Sequence, residues 1–209
     1  MDWATISALA TAFGTLVLAI ATFASVRSAN RAARTAERAL SFNLRPLLFP
    51  SRMDDPMQKV TWMDGRMHRL AGGHAIAEVT DAVIYLAMSL RNAGAGMAVL
   101  QAWDPLLTST VVRDPPRPLN EFRSLTRDLY IAPNDIGFWQ GAFRDTSDDS
   151  YAPLAARVNA REGFGVDVLC FNAEGAQRTV SRFQFLPIAD DAWICTVGRH
   201  FSLDHDLPR

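Results

Sequence analysis

Ala82-Val83-Ile84-Tyr85-Leu86-Ala87-Met88-Ser89-Leu90 is the run on which the fold class turns. It is apolar on both faces, free of Gly and Pro, and too short for an ordinary core helix. It stops at Asn92-Ala93-Gly94-Ala95-Gly96, and Met97 to Trp103 then begins a second apolar run. A short apolar run closed by turn residues reads as a buried strand. A glycine-rich turn between two such runs reads as a connection between strands, with Asn bonding its own backbone.

The same pattern repeats outward in both directions. Upstream, Lys59 to Trp62 and Arg66 to Leu70 flank Asp64-Gly65, a favoured hairpin turn. Downstream, Leu129 to Ile131 and Ile136 to Phe143 bracket Pro133-Asn134. Phe164 to Phe171 and Arg178 to Phe185 bracket Glu174-Gly175, and Trp193 to Phe201 closes the series. Arg113 to Pro118 holds too many prolines for a ladder and reads as an exposed loop. Only Tyr151 to Ala160 looks helical in this part of the chain. Many short strands at close spacing argue a mainly β fold: an immunoglobulin-like antiparallel β-sandwich with one short helix. Trp62, Trp103, Trp139 and Trp193 all fall in the expected strands and are assigned to its core.

The N-terminal part follows a different pattern. Trp3 to Val26 is 24 consecutive residues without a charge, enough to cross a bilayer as a helix. Trp3, Phe13, Leu16, Leu18 and Phe23 are its large apolar side chains. The run is longer than a signal peptide's apolar region, and no Lys or Arg precedes it, so it reads as a retained anchor rather than a cleaved leader. Arg27, Arg31, Arg34 and Arg38 follow at spacings that put them on one side of a continuing helix, opposite Ala29, Ala32, Ala33 and Ala36. One helix is therefore expected from about Trp3 to about Ser41. Arg45-Pro46 ends it, and Leu44 to Phe49 is expected to leave as a strand. This divides the chain into residues 1–43, a transmembrane and juxtamembrane helix, and residues 44–209, a β-sandwich domain. The arginines after the span place that domain in the cytoplasm and the N-terminus outside, at the inner (plasma) membrane; the reverse topology is the alternative. The basic stripe suits anionic headgroups. The small residues Ala4, Ala8 and Ala12, and Ala10 with Gly14, suit close packing against a second copy.

The 209 residues carry a net charge of −1, divided unevenly. Residues 1–45 hold five Arg against Asp2 and Glu37, a net of +3; the remainder holds 16 basic and 20 acidic residues, a net of −4. A mildly acidic domain does not favour nucleic acid. The two cysteines, Cys170 and Cys195, have no metal or redox spacing, and Cys170 lies in an apolar run. His68 and His74 stand apart; His200 and His205 flank Asp204 and precede Asp206, but their spacing matches no standard zinc site. Asp145, Asp148 and Asp149 form one acidic loop for which solvation is the ordinary explanation. No serine has a nucleophile-elbow setting. Asn92, Gly94 and Gly96, together with Arg178 and Arg182 on one side of a strand, are the candidate contacts for an anionic ligand or a partner; structural ion pairs are the competing reading of the two arginines.

Leu90-Arg91-Asn92-Ala93-Gly94-Ala95-Gly96-Met97-Ala98, preceded by Arg45-Pro46, forms an Asn-x-Gly-x-Gly-x-Ala strand end. Together with Glu174-Gly175-Ala176-Gln177-Arg178-Thr179, Arg182-Phe183, Trp193 and Arg199-His200, it resembles a widespread class of bacterial single-pass membrane proteins with a C-terminal β-sandwich domain. The resemblance implies architecture and no activity. The expectation is therefore a membrane-anchored, non-enzymatic binding or assembly protein. Its partners would be the bilayer and a protein partner or a second copy of itself, with no cofactor and no metal. The alternative is a membrane-linked sensor of a small nucleotide-like molecule.

Overall fold

The computed structural model describes residues 2–107, 114–173, 175, 177–189 and 191–204, with the side chains of residues 38–43 outside it. The elements are α1 (Trp3–Asn43), β1 (Leu48–Pro50), β2 (Gln58–Thr61), β3 (Met67–Leu70), β4 (His74–Thr80), β5 (Val83–Asn92) and β6 (Ala98–Leu106). A single 3-10 turn (Leu119–Glu121) precedes β7 (Arg123–Ile131), β8 (Ile136–Phe143), α2 (Tyr151–Asn159), β9 (Phe164–Asn172), β10 (Arg178–Pro187) and β11 (Trp193–Ser202). The protein is mainly β, with one long N-terminal helix. It divides into two compact units, Met1–Asn43 and Leu44–Arg209.

The 41 residues of α1 form one helix, about 60 Å long at the usual rise. Every side chain described in it is exposed. Its hydroxyls turn back on the helix: Ser7 donates to the Ala4 carbonyl, Thr11 to Ser7, Thr15 to Thr11 and Thr22 to Leu18, at 2.7–2.9 Å. Such bonds satisfy each hydroxyl without water, as an apolar medium requires.

The second unit is built on an antiparallel nine-stranded sheet in the order β1-β5-β4-β11-β10-β9-β6-β7, with β8 also paired to β5. β8 runs along one edge of β5 from Ile84 to Arg91, while β4 and then β1 share the other. β7 stands at the far end of the path, yet the turn Ala132–Asp135 joins it directly to β8. The sheet therefore curls over. Its inner surface holds Leu86, Met88 and Trp139 from one end and Leu100, Trp103, Phe164, Phe183 and Phe185 from the other, in one apolar cluster. Trp103 and Trp139 meet edge to face at 5.4 Å, and Phe164 stacks on Phe185 at 4.9 Å, arrangements aromatic rings favour. All four tryptophans of the domain are buried; Trp62 lies just beyond β2, the others within strands.

A bulge in β6 sets which of its side chains reach the core. The register slips between Leu100 and Ala102. Leu100 and Trp103 therefore both belong to the main core, although simple alternation would separate them, and Ala102 joins a smaller cluster with Phe122, Leu169, Val180 and Phe201. β2 and β3 form a separate hairpin. Its Val60 and Leu70, with the adjoining Trp62, pack on Tyr85 and Ala87 of β5.

Some elements differ from the sequence reading. The strand expected at Leu44–Phe49 is confined to Leu48–Pro50. β4 has no counterpart in that reading, because the turn joining it to β5 is Asp81-Ala82, both at positive φ (53° and 59°), without a glycine to announce it. β7 begins at Arg123, six residues before its apolar end.

Candidate functional site

Asn92 is fully buried, and its side-chain amide is bonded on both sides. Its Oδ1 accepts from the backbone amides of Leu47 (3.1 Å) and Gly94 (3.0 Å); its Nδ2 donates to the carbonyls of Gly96 (2.7 Å) and Ile131 (3.1 Å). An amide side chain makes about four hydrogen bonds, so this one has no capacity left for a ligand. The glycines are explained by the same contact. A Cβ on Gly96 would sit 1.7 Å from the Leu44 carbonyl oxygen, and one on Gly94 would sit 2.2 Å from that of Arg45. The turn clasps the segment Leu44–Leu47, which opens the second unit.

Arg178 and Arg182 are likewise engaged. Arg178 forms an ion pair with Asp204 through Nε and Nη2, each 2.9 Å from Oδ1, and its backbone amide donates to Oδ2 of the same carboxylate. Arg182 is 2% exposed and makes a two-pronged ion pair with Asp167, which is 0% exposed, at 2.8 Å for both bonds. Its Nη1 donates to the Asp114 carbonyl, and its guanidinium lies 4.9 Å from the Phe201 ring centre. Fork-to-fork geometry of this kind is the strong form of an arginine–carboxylate contact. The pairing register runs on through neighbouring strands: Asp104 stands opposite Asp167, Asp167 opposite Arg182, and Arg182 opposite Arg199. Asp104 receives Arg123 at 3.2 Å and Arg117 at 3.5 Å, and Arg123 continues to Asp148 at 2.5 Å. Burial pushes the Asp104 carboxyl above its usual range, against the pull of Arg117 and Arg123. This network joins β6, β7, β9 and β10 to the loop before α2.

A second polar cluster fastens the hairpin. The Tyr85 hydroxyl donates to Asp64 Oδ2 at 2.6 Å, and Arg144 reaches the same oxygen at 2.7 Å. The Tyr85 hydrogen bond, followed by Arg144, holds the Asp64 carboxyl down at about 2 despite partial desolvation. The same bond pushes the Tyr85 phenol up, which makes it a poorer acid. Arg66 joins Glu78 at 2.7 Å, and His68 approaches the same oxygen at 3.1 Å. The Trp62 indole donates to the Gly141 carbonyl at 3.0 Å.

The remaining chemically versatile groups are also placed. Cys170 and Cys195 are both buried and unpaired. Burial pushes the Cys170 thiol up to about 12 and the Cys195 thiol higher still, so neither supplies a thiolate at neutral pH. Asp145 is bonded to Ser147 and Asp148 to Arg123 and Ser150, so the acidic loop is internally tied. His74 bonds the Gly72 carbonyl. His200 Nδ1 meets the Ser181 hydroxyl at 2.9 Å, and its ring packs edge-on against Phe49. Burial, reinforced by Arg45, lowers its pKa. His205 and Asp206 lie outside the described residues, among which no cluster of three or more His, Cys, Asp or Glu is arranged for a metal.

The side chains of Arg27, Arg31 and Arg34 are exposed on α1 with no ion pair among the described residues, as are Trp3, Phe13, Leu16, Leu18 and Phe23; the side chain of Arg38 lies outside them. Sequence reasoning passed over a further exposed feature. Met53, Met57, Met63 and Met67 are 57–72% exposed on and beside the β2–β3 hairpin. Their spacing, neither helical nor strictly alternating, carries no signal until the hairpin register is known.

No protein-family model and no curated protein matches the chain. Among solved structures, a protein from Archaeoglobus fulgidus matches at 12% identity with a TM-score of 0.24, covering 64% of this chain and 95% of that one. A likeness that weak carries no argument about fold or function.

Proposed function

We propose that the protein is a single-pass membrane protein whose second unit binds a protein partner or another copy of itself without catalysing a reaction. The observation that carries this reading is the span Trp3–Glu37. Its mean hydropathy is 2.0 and none of its apolar window is buried, so among the described residues nothing covers an apolar surface of bilayer length. The basic residues that follow the span favour a cytoplasmic domain at the inner membrane, with the N-terminus outside. The curled sheet is taken to be an immunoglobulin-like sandwich. In support, β4 and β11 meet at only two register pairs, Trp193 with Ala75 and Ile194 with His74, a natural seam between two packed layers.

The non-enzymatic part rests on how the reactive groups are used. The thiols are buried, and the carboxylates of the two polar clusters are paired with arginines or a tyrosine. A sensor reading depends on the Asn92–Gly96 turn, Arg178 and Arg182, and each of these already has intramolecular partners, so the binding reading is preferred. Native mass spectrometry of the full-length protein, purified from its own host membrane in mild detergent, tests it. The expected result is a defined complex or a fixed homo-oligomer. A bare monomer retaining a small bound mass would replace it with the sensor reading.

A further inference from the structure

The β2–β3 hairpin has two unlike faces. Its inner face carries Val60 and Leu70 against β5 and is buried. In its register Lys59 stands opposite Arg69 and Thr61 opposite Met67, and these positions face outward. Met57, Lys59, Met67 and Arg69 line one continuous open surface, and Met63 stands in the turn at its end. Met57, Met63 and Met67 are 62%, 72% and 57% exposed.

We propose that this outer face docks on the surface of an anionic bilayer, with the methionine side chains in the boundary between headgroups and acyl chains and Lys59 and Arg69 on lipid phosphates or carboxylates.

Charge supports this first. Elsewhere in the domain, arginines such as Arg123, Arg178 and Arg182 are held by carboxylates. Lys59 and Arg69 have no ion pair among the described residues, and Arg127 adds a third unpaired cation beside the hairpin, 3.4 Å from the Thr61 carbonyl. Asp64 is engaged with Tyr85 and Arg144, and Asp55 with Arg91 and the Arg52 amide, while Asp54 stands exposed in the loop before β2. The outer face of the two strands therefore carries Lys59 and Arg69 and no carboxylate of its own.

Side-chain type supports it independently. Protein interfaces are anchored by Trp, Tyr and Arg seated in fitted pockets. Here the nearby aromatics, Trp62 and Tyr85, are buried beneath the hairpin. What projects beside Lys59 and Arg69 is flexible thioether, which adapts to an irregular apolar surface without fixed partners. Apolar contact combined with cations is how peripheral segments bind anionic membranes. The proposal draws on the anchor reading only for the nearness of a bilayer.

The test uses full-length protein carrying Met67→Cys, labelled with an environment-sensitive fluorophore and reconstituted into nanodiscs with spin-labelled lipid as quencher. The buried thiols of Cys170 and Cys195 leave the introduced one as the site of labelling. Tyr130→Cys, at an exposed position on β7, is the reference. The expected result is quenching at position 67 in discs of anionic lipid, weak quenching in discs of neutral lipid, and little in either at position 130. The pair Lys59→Glu and Arg69→Glu abolishes the anionic effect, since each surface cation removed weakens docking by roughly fivefold. Both side chains are exposed and unpaired, so the fold is untouched. Quenching that ignores lipid charge, or that matches position 130, overturns the proposal. So does a label at 67 that is shielded in host-purified complexes but not by anionic lipid, which would assign the face to a protein. Carbonate extraction of the same reconstituted samples reads the anchor separately: release of the chain refutes the anchor, while charge-dependent quenching, or its absence, still decides the docking.

Discussion

The two units treat their arginines in opposite ways. Along α1, Arg27, Arg31 and Arg34 stand exposed with no ion pair among the described residues. In the β-rich unit, Arg182 is buried against Asp167, Arg123 bridges Asp104 and Asp148, and Arg178 closes on Asp204. A guanidinium paired inside the fold holds strands together; one left unpaired on the surface is free to meet water or something outside the chain. Lys59 and Arg69, although they lie in the second unit, are exposed and unpaired in the same way among the described residues.

The largest effect is expected at Asp167. Replacing it by Asn strands a buried guanidinium, and removing one partner of such a pair costs about 3–5 kcal/mol. In a domain of this size that lowers Tm by roughly 10 °C, readable by calorimetry. Replacing both partners together, Asp167→Leu with Arg182→Met, is expected to recover most of the loss. If the single change is as mild as the double, the pair is not buried as described.

Asn92→Ala comes next. It leaves the half-buried Leu47 and Gly94 amides without their acceptor and the buried Gly96 and Ile131 carbonyls without their donor, at about 2–3 kcal/mol. Gly96→Ala acts on the same contact from the other side, because its Cβ cannot coexist with the Leu44 carbonyl in place. Hydrogen exchange at the Leu47 and Ala93 amides is expected to quicken in both variants, Ala93 N–H being bonded to the Leu47 carbonyl.

Two pH effects are smaller, and each has a defined sign. His200 has a folded pKa below its ordinary 6.5, so its neutral form fits the fold. Stability is full above 6.5 and falls as pH drops through the lowered value. Asp64 is lowered from 3.8 to about 2, so its contribution is complete above 3.8 and is lost as pH falls through about 2. The His200→Asn variant is expected to flatten the first decline in a pH series of denaturant melts and leave the second in place. The mildest change is the triple replacement of Arg27, Arg31 and Arg34 by Gln. Surface changes away from structural contacts stay within about 0.5 kcal/mol. Its melting curve should match the parent's, while its membrane orientation becomes mixed.

Legibility in the sequence followed the strength of local signals. α1 was plain from the uncharged run and the arginine spacing. β8 and β11 were plain from apolar runs bounded by turns. β4 was missed because Asp81-Ala82 turns through positive φ without a glycine, and β7 was read only at its end, Leu129 to Ile131, because its first half, Arg123 to Asp128, is mostly polar. The internal role of Asn92 was readable from its residue type, but its hold on Leu44–Leu47 was not, since that contact joins positions 45 residues apart. The pairing of Arg182 with Asp167 was hidden for the same reason: only the strand register places them opposite. The methionine face depended on which side of the hairpin is covered, a property of the packing of β2 and β3 on β5.

The most direct test of the membrane reading is the intact mass of the protein recovered from carbonate-washed membranes of its host. A retained anchor predicts that the chain is in the pellet at the full mass, with Trp3–Val26 present. A soluble protein lacking those residues would show that the apolar helix is a removable leader, and would contradict the membrane reading.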